Sequence, residues 1–192
     1  GEGSTGVGWH TRPVYTLEEL SRELPALARG AIDAHPAGDH PILAAREGAP
    51  AAGVFVTLRE ADGKLRGCIG SITPAERDVF AETARSAVLA ATRDPRFSPV
   101  GRAELAALSI EVSVLAPDEP VAGLRDLDPK RYGVIVCDHG GRRGLLLPDI
   151  EGVDDAETQV AIARQKAGIA AGEPVRLSRF RVTKAKESSP AA

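Results

Sequence analysis

Residues 53–60, Gly53-Val54-Phe55-Val56-Thr57-Leu58-Arg59-Glu60, alternate apolar and polar side chains with the two-residue period of a strand, and Leu65-Arg66-Gly67-Cys68-Ile69-Gly70 repeats the pattern. Ala61-Asp62-Gly63-Lys64 lies between them. An Asp-Gly pair between two such runs predicts a hairpin, because both residues accept positive φ. A two-residue turn at Asp62-Gly63 pairs Glu60 with Leu65, Leu58 with Gly67, Thr57 with Cys68 and Val56 with Ile69. One face then carries Val54, Val56, Leu58, Leu65, Gly67 and Ile69 and belongs to a core. The other carries Phe55, Thr57, Arg59, Arg66, Cys68 and Gly70.

Helical periods flank this hairpin. Thr16 and Glu19 form a capping box ahead of Leu17, Leu20, Leu24, Leu27, Ala31 and Ile32. Pro25 within that stripe allows either a kink or a second helix starting there. Thr73-Pro74-Ala75-Glu76 predicts the start of another helix, with Phe80, Ala84, Ala87, Val88 and Ala91 inward and free N–H groups that favour an anion near the cysteine strand. Asp94-Pro95-Arg96-Phe97-Ser98-Pro99 stops it, and a short turn over 102–108 leads to a strand at Ser109–Leu115. The polar segment 117–131 marks a boundary between lobes. A second hairpin follows over 132–137 and 144–147, then a helix capped by Asp154 and Glu157 and ended by Gly168, then a strand over 175–182. Residues 1–11 are expected to be a loose tail and 185–192 to be disordered, leaving one domain over 12–184.

Charge and composition narrow the function classes. The net charge is −3 with no basic run, which argues against nucleic acid as a partner. No apolar stretch approaches the ~20 residues of a membrane span, and residues 1–10 lack the pattern of a secretory signal. Two cysteines make no disulfide framework, so the expected compartment is cytoplasmic. Cys137-Asp138-His139 are contiguous, which is poor spacing for one metal, and no metal site is expected. Neither a Walker loop nor a dinucleotide fingerprint is present.

Chemistry concentrates at Cys68. Glycine in a strand marks a bulge or a close approach, so Gly67 and Gly70 point to space kept clear beside the thiol. Arg66 lies two residues away, roughly 6–7 Å between Cβ atoms, and a guanidinium there favours the nucleophilic thiolate. A free cysteine also packs well as a small buried hydrophobe. Asp94 and Arg96 have two readings as well: a helix stop with Phe97 plugging the core, or a cleft rim at which Arg96 holds an anion.

Taken in series, Leu65–Gly70, Asp94-Pro95-Arg96-Phe97, Glu111–Leu115, Gly141-Arg142-Arg143-Gly144 through Pro148, and Lys166-Ala167-Gly168 resemble the AMMECR domain family over residues 13–184. Its prokaryotic branch is the AmmeMemoRadiSam system protein A. The resemblance implies an α+β fold of two unequal lobes, the larger built on an antiparallel β-sheet with flanking helices, with a functional cleft between them near the cysteine motif. It implies a Memo-like protein and a radical SAM enzyme as partners, and it supplies neither a reaction nor a cofactor. Family members often carry Pro-Gln-Val where this chain has Pro148-Asp149-Ile150, so no amide role carries over to position 149. Two functions are compatible with these residues. One is an enzyme using Cys68 with Arg66, and Arg96 on a small anionic substrate. The other is a non-catalytic accessory module whose glycines serve packing and whose cleft receives a partner.

Overall fold

Thr16 accepts the Glu19 N–H at 3.1 Å while the Glu19 carboxylate takes the Thr16 N–H at 2.7 Å, and this closed box starts helix α1 (Leu17–Ala34). The helix runs unbroken through Pro25, which excludes a second helix starting there. Leu20, Leu24, Ala28 and Ile32, each four residues on, form its buried spine. The computed structural model describes residues 15–41 and 46–187; the tail expected over 1–11 lies outside the described residues.

The hairpin forms from β1 (Val54–Arg59) and β2 (Leu65–Ser71), with Val56↔Ile69, Thr57↔Cys68 and Leu58↔Gly67 in the expected register. Nearer the turn the register differs. Gly63, at φ +87°, follows a tight turn closed by its own N–H on the Glu60 carbonyl, and Glu60 N–H bonds the Lys64 carbonyl. The loop is therefore three residues long with a left-handed glycine at its end. Arg59 faces Leu65 in place of Glu60, and Arg66 becomes the extra residue of a bulge.

Helix α2 (Val79–Thr92) starts later than the Thr73-Pro74 signal predicts. Asp78 is its N-cap, accepting from the Phe80 and Ala81 N–H groups at 2.9 and 3.0 Å. The residues expected to open the helix are held elsewhere: the fully buried Glu82 carboxylate accepts Ala75 and Glu76 N–H and the Ser71 hydroxyl. The anion expected at this helix end is thus the protein's own Asp78. A four-residue helix α3 (Arg102–Leu105) leads to β3 (Ser109–Leu115).

The first sheet has the order β2-β1-β3-β8, with β8 spanning Val182–Lys186 and every pair antiparallel. Val54, Val56, Leu58, Ile110 and Val112 on one face meet α1 and α2 in the main core. The second sheet, order β4-β7-β5-β6, is built from β4 (Glu119–Val121), β5 (Gly133–Cys137), β6 (Arg143–Leu146) and β7 (Arg176–Phe180). It is covered by α4 (Ala156–Ala167), capped by Asp155, one residue beyond the expected Asp154, and ended by Gly168 at φ +67°. β4 is a short strand inside the segment expected to be a plain connection.

The strand expected over 175–182 splits. β7 sits inside the second sheet, and after Arg181 the chain crosses to the first sheet as β8 (Val182–Lys186). One continuous stretch therefore stitches the lobes together. Of the tail expected to be disordered over 185–192, residues 185–187 are ordered: Ala185 is buried against β3, and the Glu187 carboxylate grips Arg29 at 2.6 and 2.7 Å, while 188–192 lie outside the described residues. Arg29 spends its remaining donors on the Leu105 and Leu108 carbonyls. A third cluster, Leu115, Ile135, Leu145 and Phe180 with Phe55 against it, joins the lobes.

Candidate functional site

Cys68 lies on β2, the edge strand of its sheet, so alternate N–H groups have no strand to bond. Asp94, buried where α2 ends, fills that role by accepting the Cys68 N–H at 2.9 Å. The same carboxylate takes Arg96 through its backbone N–H, Nε and Nη2 at 3.1, 3.0 and 2.8 Å. Those bonds to Arg96, helped by the Cys68 amide and opposed by burial, hold the Asp94 carboxyl far below the usual range. Arg96 is in turn raised, chiefly by Asp94, with a smaller contribution from Cys68.

Arg66, expected to assist Cys68, is turned to Glu104 on α3, with Nη2 to Oε2 at 3.2 Å and Nε on Oε1. The bulge explains this, because Arg66 has no cross-strand partner to hold it beside the cysteine. Phe97 has both guanidiniums near its ring, Arg66 at 5.8 Å and Arg96 at 5.5 Å. The aromatic is a plug between two ion pairs, and each arginine of the motif already holds a carboxylate.

The glycines do not keep a gap for a ligand. A Cβ on Gly67 would stand 2.4 Å from the Ala90 carbonyl, so this glycine lets α2 press onto β2. One on Gly70 would meet Val54 O at 2.1 Å and the Phe55 ring at 2.6 Å. Both expected binding positions are filled by protein. The Cys68 sulfur is half-buried and 3.4 Å from the Thr57 hydroxyl, in a cross-strand row that continues to Glu111 and Lys186.

The cleft lies elsewhere on the molecule. A space of about 520 Å³ opens between the lobes, walled by Ile72, Leu115, Ile135 and Phe180, with Asp118 and Arg143 as its charged groups. It sits at the Gly53 and Ile72 end of the first hairpin, and none of Arg66, Cys68, Asp94 and Arg96 lines it. The expected cysteine-in-cleft arrangement therefore separates into a closed seam at Cys68 and an open space beyond it.

The second sheet supplies the surface that the motif reading passed over. Cys137 stands directly opposite Arg143 on β6 and Arg176 on β7, so all three share one face. Ile135, two residues back on β5, lines the cleft from that same face, as does Arg143. The register of the second hairpin alone would have placed Arg143; Arg176 needed a pairing some forty residues distant. Glu82 was also missed, although a glutamate inside a small-residue stripe is itself a sign of a buried carboxylate. Among the described residues no group of three or more His, Cys, Asp or Glu side chains is gathered to hold a metal ion. No described helix is long and apolar enough to cross a membrane.

The AMMECR1 family model matches residues 18–185. A Thermotoga maritima protein is 52% identical over 136 residues, covering 70% of this chain and 78% of that one. A Clostridium acetobutylicum protein is 48% identical over 71% of this chain, which spans only 28% of that longer relative. The crystal structure of an uncharacterized Pyrococcus horikoshii protein superposes with a TM-score of 0.76 at 33% identity, covering 88% of this chain and 92% of that one.

Proposed function

The chain belongs to the AMMECR1 family, and from that premise we propose that it is a binding module whose working site is the inter-lobe cleft, not a thiol enzyme centred on Cys68. The observation that carries this reading is the separation of the two places. The cleft is open, largely apolar and of a size that suits a small molecule, at the junction of two lobes where such sites recur. Around Cys68 both guanidiniums are bound to carboxylates and both glycines are packed. An anionic substrate there would have to displace Asp94 or Glu104 first. An accessory role beside a Memo-like protein and a radical SAM enzyme fits a binding module, which needs no nucleophile.

The test uses 8-anilinonaphthalene-1-sulfonate, an apolar probe with one anionic group, followed by fluorescence on the full chain. Thr183 lines the cleft and is half-buried, so Thr183→Phe should fill the space and weaken probe binding. Cys68→Ala should leave it unchanged. Loss of binding in Cys68→Ala with a retained fold, and none in Thr183→Phe, would overturn the reading in favour of the thiol.

A further inference from the structure

The two cysteine rows treat their arginines differently. Arg29, Arg66, Arg96, Arg142 and Arg179 each bind a carboxylate. Arg143 and Arg176 have no hydrogen bond or ion pair to any described residue, and both are exposed. They stand in one row on either side of Cys137. Like charges on one sheet face repel, so the arrangement is electrostatically unfinished. An anion would complete it.

Geometry says what kind. Arg143 and Arg176 lie two strand spacings apart, about 10 Å between backbones. That separation lets two long side chains close on one tetrahedral group from opposite sides, each presenting its planar fork to a pair of oxygens. Nearby carboxylates do not compete: Asp138 is occupied by Arg142, and Glu173 by Arg142 and the Ala170 N–H. Asp118 lines the cleft but forms no ion pair with Arg143. Ile135 continues the same face from Cys137 into the apolar cleft.

We propose that Arg143 and Arg176 form a phosphate-binding strip at the mouth of the cleft, and that the ligand is a phosphate monoester with an apolar body. This rests on the cleft being the working site. The phosphate sits across the Cys137 row, and the body lies along Ile135, Leu115 and Phe180. No covalent step is implied for Cys137.

Calorimetry on the full chain with three probes, octyl phosphate, octanol and inorganic phosphate, separates the parts. Octyl phosphate should bind at least about tenfold tighter than either of the others, as hydrogen bonds to charged groups imply. Arg143→Gln and Arg176→Gln should each weaken it about tenfold, and octanol should not respond to either. Raised salt should weaken octyl phosphate alone. Arg59→Gln, an exposed arginine at the turn end of the first hairpin, opposite the end that lines the cleft, serves as the control and should change nothing. If octyl phosphate binds no better than octanol and ignores both variants, the strip is overturned while the cleft reading survives. If inorganic phosphate binds as well as octyl phosphate, in an arginine-dependent way, the arginines bind phosphate but the proposed ligand, a monoester with an apolar body in the cleft, is overturned. Binding of none of the three overturns the proposal.

Discussion

The two lobes solve the same packing problem with the same device and finish it with different electrostatics. In the first, Gly67 admits a carbonyl of α2 onto β2; in the second, Gly144 admits the Ala163 carbonyl of α4 onto β6, 2.1 Å from where a Cβ would be. Each lobe also lays a phenylalanine over a bare glycine, Phe55 on Gly70 and Phe180 on Gly133. Cross-strand rings over glycine recover area that the missing side chain gives up. The difference lies in the charges near each cysteine. Around Cys68 Arg96 and Arg66 are neutralised by Asp94 and Glu104, whereas the two arginines directly opposite Cys137, Arg143 and Arg176, pair with no described residue. A glycine-flanked cysteine with arginines nearby therefore does not distinguish a closed seam from an open surface; the carboxylates that reach it do.

The largest expected effect tests the shared device. Gly67→Val and Gly144→Val each drive a side chain into a helix backbone, and each should destabilise the fold by more than about 3 kcal/mol, measured by urea unfolding. Equal, severe losses support the parallel. A mild loss in either lobe would break it.

Next comes the stitch between lobes. Truncation after Lys184 removes the buried Ala185 and the Glu187 carboxylate that holds Arg29. The expected loss is about 2 kcal/mol from one charge-assisted pair and one small buried residue, read from the shift of the urea midpoint. No loss would return these residues to the tail that the sequence predicts.

The seam at Cys68 gives a smaller effect with a pH signature. Asp94→Asn should cost about 1 kcal/mol, held down because Arg96 is 55% exposed. The Asp94 carboxyl is depressed in the fold, chiefly by Arg96. Its stabilisation is therefore fully present above the unfolded value of about 3.9 and is lost as pH falls below it towards the native one. Asp94→Asn should flatten that acid limb of the stability profile. An unchanged limb would contradict the pairing.

Smallest of all, Arg143→Gln and Arg176→Gln should move stability by less than about 0.5 kcal/mol, since neither arginine bonds or pairs with any described residue. Thermal unfolding checks this, and a larger loss from either would make the second lobe resemble the first.

Local signals were the legible ones. The capping box at Thr16 and the left-handed Gly168 are set by neighbouring residues, and both form as the sequence predicts. The hairpin register was readable from Val56 to Leu58, and it slips at Arg66 because an Asp-Gly turn of three residues looks the same in sequence as one of two. Thr73-Pro74 carries every mark of a helix start, yet Glu82 and Asp78 capture the amides and move the start to Val79. The role of the glycines was not legible, since their missing side chains are filled from Ala90 and Phe55, and only tertiary packing brings those atoms there. The family resemblance implied a cleft near the cysteine motif, while the cleft lies at the far end of its hairpin, where the chain crosses from β7 to β8.

Methyl and arginine Nε–H NMR shifts on adding octyl phosphate test the central claim most directly, because one spectrum covers both places. The account predicts shifts at Ile72, Leu115, Ile135 and Arg143, with Thr57 and Arg96 unmoved. Shifts centred on Thr57 and Arg96, with the cleft methyls silent, would contradict it.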